Sequence, residues 1–274
     1  AKDVWIVKLN GSGEMEWEKT FGSNFEDEAN NILVAKNGNL FITGYQMTQQ
    51  SSTIEMWTMM LSPTGDMMWN KKFGGYFRCY GQAAVETKNG FAVAGYLKPG
   101  SQDKFKNEKA RVIMVDEKGN LLWDKILGGE EEAHATDIIA SEDGGIVVIG
   151  YNAMNGNTDM WMIKMDNKGA SIKEELLGDI ETDKGTSITK IGFGNMVICG
   201  NTSSSITNSD DILIIGFDAS GKILWKTTVG GPLNEHPYKV IASPDGGFVV
   251  ASEQCTHYLY NSQPVKCEMN IVKF

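Results

Sequence analysis

Three carboxylates recur at one position of an internal repeat, each a few residues after a glycine: Asp27, Asp183 and Glu235. Carboxylates gathered around an axis can bind a cation or serve as the acid and base of a glycosidase. The other two copies of the repeat carry Cys79 and Ala133 there, so the set is incomplete. A short acid in a glycine-rich turn also accepts backbone N–H bonds. We favour this structural interpretation.

Other catalytic signatures are missing from the sequence. The chain has 3 histidines, and two of them, His134 and His236, directly follow the carboxylate position in different repeats. No HExxH, CxxC, Gly-x-Ser-x-Gly or phosphate-binding glycine motif occurs. We therefore predict no catalytic residues, no metal ligands and no cofactor, and expect that the protein is not an enzyme.

Aromatic residues are the better candidates for ligand contact. One repeat position carries Tyr45, Tyr96 and Tyr151, and one glycine-rich connection contains the insertion Tyr76-Phe77-Arg78-Cys79-Tyr80. Rings in a partial circle could stack on a sugar or a peptide, and an aromatic cluster beside an arginine suits a partner contact. The alternatives are that the tyrosines pack on their neighbours and that the insertion plugs a channel.

Cys255 and Cys267 bracket a long loop that contains His257 and Tyr258, two further candidates for ligand contact. The strands flanking this loop should be antiparallel neighbours, so the two thiols can approach bonding distance. We predict a disulfide worth about 2–3 kcal/mol in the chain-entropy model, and with it an oxidising compartment. The other two cysteines fall in different repeats and are expected to be free.

The repeat itself is the strongest signal in the chain. Copies of a segment such as Asp3-Val-Trp-Ile-Val-Lys-Leu-Asn start at positions 3, 55, 109, 159 and 211, with a partial copy at 268. A glycine follows ten residues after each of the five full starts: Gly13, Gly65, Gly119, Gly169 and Gly221. A tryptophan comes four residues later in every copy except the fourth, which has Lys173. The spacing predicts one domain over 1–274.

Each repeat reads as four short strands, in the first copy 3–9, 14–20, 28–35 and 40–46, separated by glycine-rich and Asn-Gly turns. No stretch shows a helical period of apolar residues. Strand 3–9 is apolar on both faces, so we expect it, with Trp5, between two layers. Radially packed four-stranded antiparallel sheets satisfy this pattern, which predicts an all-β propeller.

The pattern Asp-x-Trp-x-x-Lys-x-Asp-x-x-Gly, then Trp, Gly-Gly, Asp-Gly-Gly and Gly-Tyr, resembles bacterial β-propeller repeats of the SBBP type. Such repeats are common in exported and surface-anchored proteins. The resemblance implies that the strand after Gly-Gly is innermost, at about 28–35, 81–87, 133–140, 184–190 and 237–242. Five inner strands imply five blades. Lys173 and Ser252 depart from the motif, where we expect local loosening.

The ends of the chain bear on the blade count. We expect strand 14–20 to complete the last blade as its fourth strand and so close the ring. Segments 3–9 and 268–274 are then two copies of one strand, and one of them is surplus. The surplus copy could add to an edge, belong to a sixth blade, or exchange between molecules.

The charge of the chain limits the classes of binding partner that we expect. The formal net charge is −10, from 35 acidic and 25 basic residues, and the clustered cations that bind a phosphate backbone are absent. Nucleic acid and anionic membranes are therefore not expected partners, and no apolar run is long enough to form a transmembrane helix.

The predicted function is non-catalytic binding of an unknown protein or glycan by a secreted, periplasmic or cell-surface propeller. Binding is assigned to the face with loops of variable length, a usual place for a site on a rigid scaffold. These loops are 46–54, 97–108, 152–158, 202–210 and 254–267. One alternative is a carbohydrate-active hydrolase or lyase with carboxylates at the channel mouth. Another is a structural subunit that assembles through the surplus strand.

Overall fold

The computed structural model describes residues 2–48, 53–101, 103–178, 181–204, 209–256 and 267–274. These residues form twenty-one β-strands and one short 3-10 turn, Gly192–Gly194, and contain no α-helix. The first ten strands are β1 (Val4–Leu9), β2 (Met15–Phe21), β3 (Asp27–Val34), β4 (Leu40–Met47), β5 (Ile54–Leu61), β6 (Met67–Phe73), β7 (Arg78–Thr87), β8 (Gly90–Lys98), β9 (Lys109–Val115) and β10 (Leu121–Leu127). The remaining eleven are β11 (Ala133–Ala140), β12 (Ile146–Met154), β13 (Asn157–Met165), β14 (Ser171–Leu176), β15 (Asp183–Lys190), β16 (Met196–Ser204), β17 (Ser209–Phe217), β18 (Ile223–Val229), β19 (Asn234–Ala242), β20 (Phe248–Cys255) and β21 (Cys267–Lys273). The all-β prediction is confirmed.

Consecutive strands pair in antiparallel sets. The four-stranded sets are β3–β6, β7–β10, β11–β14 and β15–β18, and β19–β21 form a three-stranded sheet. One parallel bridge between Ile54 and Arg78 joins the first two sets. The first strand of each set agrees with a predicted inner strand. The repeat therefore corresponds to a four-stranded antiparallel sheet, as predicted.

The chain divides into two compact units, Ala1–Ala135 with Asn167–Gly169, and Thr136–Asp166 with Ala170–Phe274. In the first unit, Phe41 and Phe91 stack with ring centroids 4.4 Å apart in a core between sets β3–β6 and β7–β10. In the second, Cys199 and Val250 belong to a core between β15–β18 and β19–β21. Third strands such as β9 are buried on both faces. Within each unit, successive sheets thus pack face to face.

The conserved spacing of tryptophan and glycine within the chain has a packing reason. Trp69 on β6 lies over the turn of the next repeat, and its Nε1 donates to the Glu117 carbonyl at 2.9 Å. A Cβ placed on Gly119 in that turn would lie 2.8 Å from the Trp69 ring. In the second unit, Lys173 replaces the tryptophan and donates to the Gly221 carbonyl at 2.9 Å. A cavity of about 20 Å³ lies beside Lys173.

Two expectations about the chain ends are not met. Strand 14–20 was predicted to be the fourth strand of the last sheet, but β2 pairs with β1 in a separate two-stranded sheet, so this prediction is wrong. β21 is the third strand of the last sheet. The hairpin turn at Gly13 places β2 directly beside β1. Because this sheet is covered on one face only, Trp5 is 64% exposed, whereas its counterparts Trp57 and Trp161 are buried.

Candidate functional site

Four aromatic rings of the first unit form a continuous row: Tyr45 on β4, Tyr80 on β7, Tyr96 on β8 and His134 on β11. Ring centroids are 5.2 Å apart for Tyr45 and Tyr80, 4.7 Å for Tyr80 and Tyr96, and 3.9 Å for Tyr96 and His134. Tyr80 and Tyr96 face each other across two paired strands. We call these four residues the aromatic row.

Tyr80 ends the aromatic insertion identified in the sequence, but it was not grouped there with Tyr45 and Tyr96. It occupies the repeat position of His134, one residue after the carboxylate position. That equivalence was a usable signal, because the position is aromatic or imidazole in several repeats.

Tyr45 meets Tyr80 edge to face, and the other rings of the aromatic row are stacked. These contacts favour the packing interpretation of Tyr45 and Tyr96. The Tyr45 hydroxyl also donates to Glu28 Oε2 at 3.0 Å. Burial, and then the nearby Glu28 carboxylate, raise the pKa of Tyr45 to about 12. Burial, followed by the neighbouring Tyr80, also raises the pKa of Tyr96 to about 12. Both hydroxyls are therefore neutral hydrogen-bond donors at neutral pH.

The end of the aromatic row meets a cluster of charged groups. His134 Nε2 lies 2.6 Å from Glu108 Oε2 and 3.5 Å from Glu132 Oε1. The other Glu108 oxygen pairs with Lys98 Nζ at 2.6 Å. Burial lowers the pKa of His134 despite the carboxylates, so the imidazole is neutral at pH 7. The histidine and the two glutamates each bring one ligand atom within 4.8 Å of the others.

Beside this cluster lies a cleft of about 390 Å³, the Phe77 cleft, lined by Phe77, Arg78, Lys98, Pro99, Lys106, Asn107, Glu108 and Glu132. Loop 97–108, one of the variable loops, supplies most of this lining. A second cavity of about 430 Å³ is also lined by Phe77 and includes Tyr76 and Asp103. Phe77 lines both cavities, and its side chain is 37% exposed.

Neighbouring groups hold the Phe77 segment. Asp103 Oδ2 accepts the Gly100 N–H at 2.6 Å and the Phe77 N–H at 3.4 Å. The Arg78 guanidinium carbon lies 5.1 Å from the centroid of the Phe77 ring. Tyr76 points instead towards buried Arg111, whose guanidinium carbon is 5.8 Å from the centroid of its ring. The structure thus places Phe77 and Arg78 in the cleft and Tyr76 against the core.

The remaining candidates lie elsewhere. In the second unit, Lys184 Nζ is 4.6 Å from the centroid of the Tyr151 ring, and Asn201 Nδ2 donates to His236 Nδ1 at 2.8 Å. His257 and Tyr258 lie outside the described residues.

The cysteines agree with the sequence prediction. Cys255 and Cys267 form a disulfide, with their Cα atoms 4.1 Å apart at the paired ends of β20 and β21. Cys79 and Cys199 are free and buried.

The recurring carboxylates are buried. Asp27, Asp183 and Glu235 are 2%, 0% and 5% exposed. Asp27 Oδ2 accepts the Ser23 N–H, and Glu235 Oε2 accepts the Gly231 N–H. These bonds agree with the structural interpretation, and the burial removes these acids from the reach of a polysaccharide.

Solved structures similar to this chain are propeller-type proteins. Hydrazine synthase of Kuenenia stuttgartiensis matches with a TM-score of 0.61 and 15% identity, over 92% of this chain and 65% of that chain. An endo-arabinase from Bacteroides thetaiotaomicron VPI-5482 matches with a TM-score of 0.47 and 11% identity, over 88% and 92% of the two chains. The Pan2 WD40 domain of Neurospora crassa matches with a TM-score of 0.48 and 10% identity, over 82% and 74%.

These findings define the fold class as a β-propeller. This chain spans slightly less than two thirds of the length of the hydrazine synthase chain. No family model matches the chain, and no curated protein matches it. The resemblance to SBBP-type repeats is therefore not confirmed.

One expectation needs correction. We expected that the protein is not an enzyme, but the matched structures include glycoside hydrolases, among them the endo-arabinase and a GH43 β-1,3-galactosidase. The fold and the missing motifs therefore do not exclude catalysis, and the expectation is withdrawn.

In the described part of the chain, no helix is long and apolar enough to cross a bilayer.

Proposed function

We propose that the protein binds carbohydrate through the Phe77 cleft. The observation that carries this proposal is an exposed aromatic ring, Phe77, that lines two cavities of about 390 and 430 Å³. Cavities of roughly 300–1,000 Å³ suit small ligands rather than the broad surface of a protein partner. An aromatic face beside carboxylate, amide and ammonium groups suits a sugar ring, which offers an apolar face and many hydroxyls.

The test is binding to a glycan array, followed by calorimetry with the soluble oligosaccharide that the array identifies. We expect Phe77→Ala to weaken binding at least about tenfold, as for the loss of a central aromatic contact. Phe193→Ala is the matched control, because Phe193 is fully exposed on a turn of the second unit. Absence of any glycan binding, or equal affinity of Phe77→Ala and wild type, would refute the proposal.

A second candidate function is hydrolysis of the bound glycan. Glu108 and Glu132 bring carboxylate oxygens within 4.8 Å of each other in the cleft, close to the roughly 5 Å separation of retaining glycosidases. The Glu132 side chain is 48% exposed and can reach a ligand. Release of reducing ends that is lost in Glu132→Gln, with binding retained, would establish it. Binding without turnover would leave the binding function alone.

We also propose that 1–274 forms one five-bladed propeller and that the protein is exported. Five strands that each begin a sheet, β3, β7, β11, β15 and β19, support the blade count, and the Cys255–Cys267 disulfide supports export. A crystal structure with another number of blades, or recovery of the native protein from the cytosol, would contradict these points.

A further inference from the structure

In three repeats, two carboxylates flank the glycine that precedes the recurring acid, namely Gly22, Gly178 and Gly230. The pairs are Asp3 with Asp27, Asp159 with Asp183, and Asp211 with Glu235. In the last pair, Asp211 Oδ1 and Glu235 Oε2 lie 2.0 and 2.8 Å from the point where a Cβ on Gly230 would stand. The corresponding distances at Gly22 are 2.3 and 2.9 Å. A side chain at either glycine would fill the space between the two acids, so glycine keeps that space open.

Asp27 and Asp211 each have one buried carboxylate oxygen that accepts no hydrogen bond from the described residues. Asp27 is 2% exposed, and its Oδ1 has no hydrogen-bond partner among the described residues. The buried Oδ1 of Asp211 likewise has none in the described part of the chain. Two adjacent carboxylates, one of them buried, repel each other unless a cation or a shared proton lies between them. Burial, and then Glu235, raise the pKa of Asp211.

The third repeat carries a cation at the position that the carboxylate pairs occupy in other repeats. Lys109 stands at the position of Asp3 and Asp211, and Ala133 replaces the second acid. The Lys109 side chain is buried, and its Nζ donates to the carbonyls of Gly129 and Glu131 at 2.5 and 2.6 Å. A tethered ammonium therefore occupies the site that carries two acids in the other repeats, and the turn directs main-chain oxygens towards it.

We propose that the three carboxylate pairs each bind a calcium ion, together with carbonyl oxygens of the adjoining glycine turn. Carboxylate and carbonyl oxygens are the ligands that Ca²⁺ prefers. In the last repeat, the ion bridges β17 and β19 of successive sheets, the connection that the Lys109 ammonium makes in the third repeat. The second repeat offers one acid only, because Glu55 faces Gly74 and the buried thiol Cys79 replaces the other acid.

The test is calorimetric titration of the EGTA-treated and dialysed full chain with CaCl₂, paired with thermal unfolding. We expect binding of up to three ions per chain. At roughly 100 times the dissociation constant, the Tm should rise by about 5 °C or more, because the ion binds only the folded state.

Asp27→Asn and Asp211→Asn should each remove one binding site, and two separate variants guard against misfolding of either. Glu55→Gln is the matched control at the same repeat position and should leave the stoichiometry unchanged. The proposal is overturned if wild type shows neither heat of binding nor a Tm response to CaCl₂. Stabilisation on lowering the pH, without any calcium response, would show that the pairs share a proton instead.

Discussion

Replacing Gly119 with alanine should destabilise the first unit strongly, for two separable reasons. Gly119 has φ +78°, a left-handed conformation that costs a residue with a Cβ about 1–2 kcal/mol. The new Cβ would also lie 2.8 Å from Trp69 Cε3 and 2.9 Å from Lys71 Cγ. The Trp69 ring cannot retreat freely, because its Nε1 is bonded to the Glu117 carbonyl. Forced overpacking costs roughly 1–3 kcal/mol, which gives a total of about 2–5 kcal/mol.

Gly13 provides the control, since it holds the same repeat position with φ +82° but has no atom within 4 Å of its added Cβ. Gly13→Ala should therefore cost only the conformational part, about 1–2 kcal/mol. Urea unfolding followed by circular dichroism measures both losses. Adding Trp69→Leu to Gly119→Ala should recover part of the difference, as a double-mutant cycle would report. Equal losses at the two glycines, or no coupling to Trp69, would refute this account of the repeat.

Three further outcomes follow from local contacts. Lys173→Trp should fill the 20 Å³ cavity beside it and stabilise by about 0.5–2 kcal/mol; a lower Tm would contradict this. Tyr45 and Tyr96 have pKa values raised to about 12. The folded chain thus holds these protons more tightly, and their contribution to stability should be lost as the pH rises from 10 towards 12. Ultraviolet titration of the Tyr45→Phe and Tyr96→Phe variants should show the late ionisation removed. The Cys255–Cys267 disulfide should leave two free thiols in the unreduced, denatured chain, and reducing it should cost about 2–3 kcal/mol; four thiols would disprove it.

Strands and turns could be predicted because each is specified by local residues. Strand 3–9 of the prediction corresponds to β1, Val4–Leu9, and the inner strand 133–140 matches β11 at both ends. The predicted loop 152–158 is instead mostly strand. Asn155 and Gly156, with φ +56° and +80°, make a tight turn that lets β12 and β13 pair to their ends. Asn-Gly is the expected sequence for such a turn, so this difference was readable from the residues.

The pairing of the chain ends was not predictable in the same way. β1 and β21 are copies of one strand, and alternating apolar residues do not say which strand lies at a free edge. The exposure of Trp5 shows the difficulty, because the same tryptophan position is buried at Trp57 and Trp161. A motif position predicts burial of its side chain only where a second sheet packs against that strand. The motif itself does not indicate whether that second sheet is present.

The candidate site illustrates a second limit, since side-chain neighbours across sheets are invisible to a single repeat. Tyr45 and Tyr96 were identified by their shared repeat position, but their rings are connected through the ring of Tyr80, which occupies the repeat position of His134. Burial likewise separated Asp27 from the accessible glutamates of the Phe77 cleft. Sequence spacing identified 97–108 as one of five variable loops, whereas the cleft beside it and the direction of each side chain required coordinates.

The proposed calcium sites arise where the repeat keeps its backbone but changes its chemistry, whereas the Phe77 cleft arises where an insertion and a variable loop change the backbone. Tryptophan and turn glycine recur because each packs against the other across successive sheets, so they leave no freedom for ligand contact. The position of Lys109 can carry an acid or an ammonium without altering the strand that holds it. Variation at such positions changes charge while leaving the packing intact. Substitutions there should therefore alter what the protein binds more than how stably it folds, and substitutions in the tryptophan–glycine series should do the reverse.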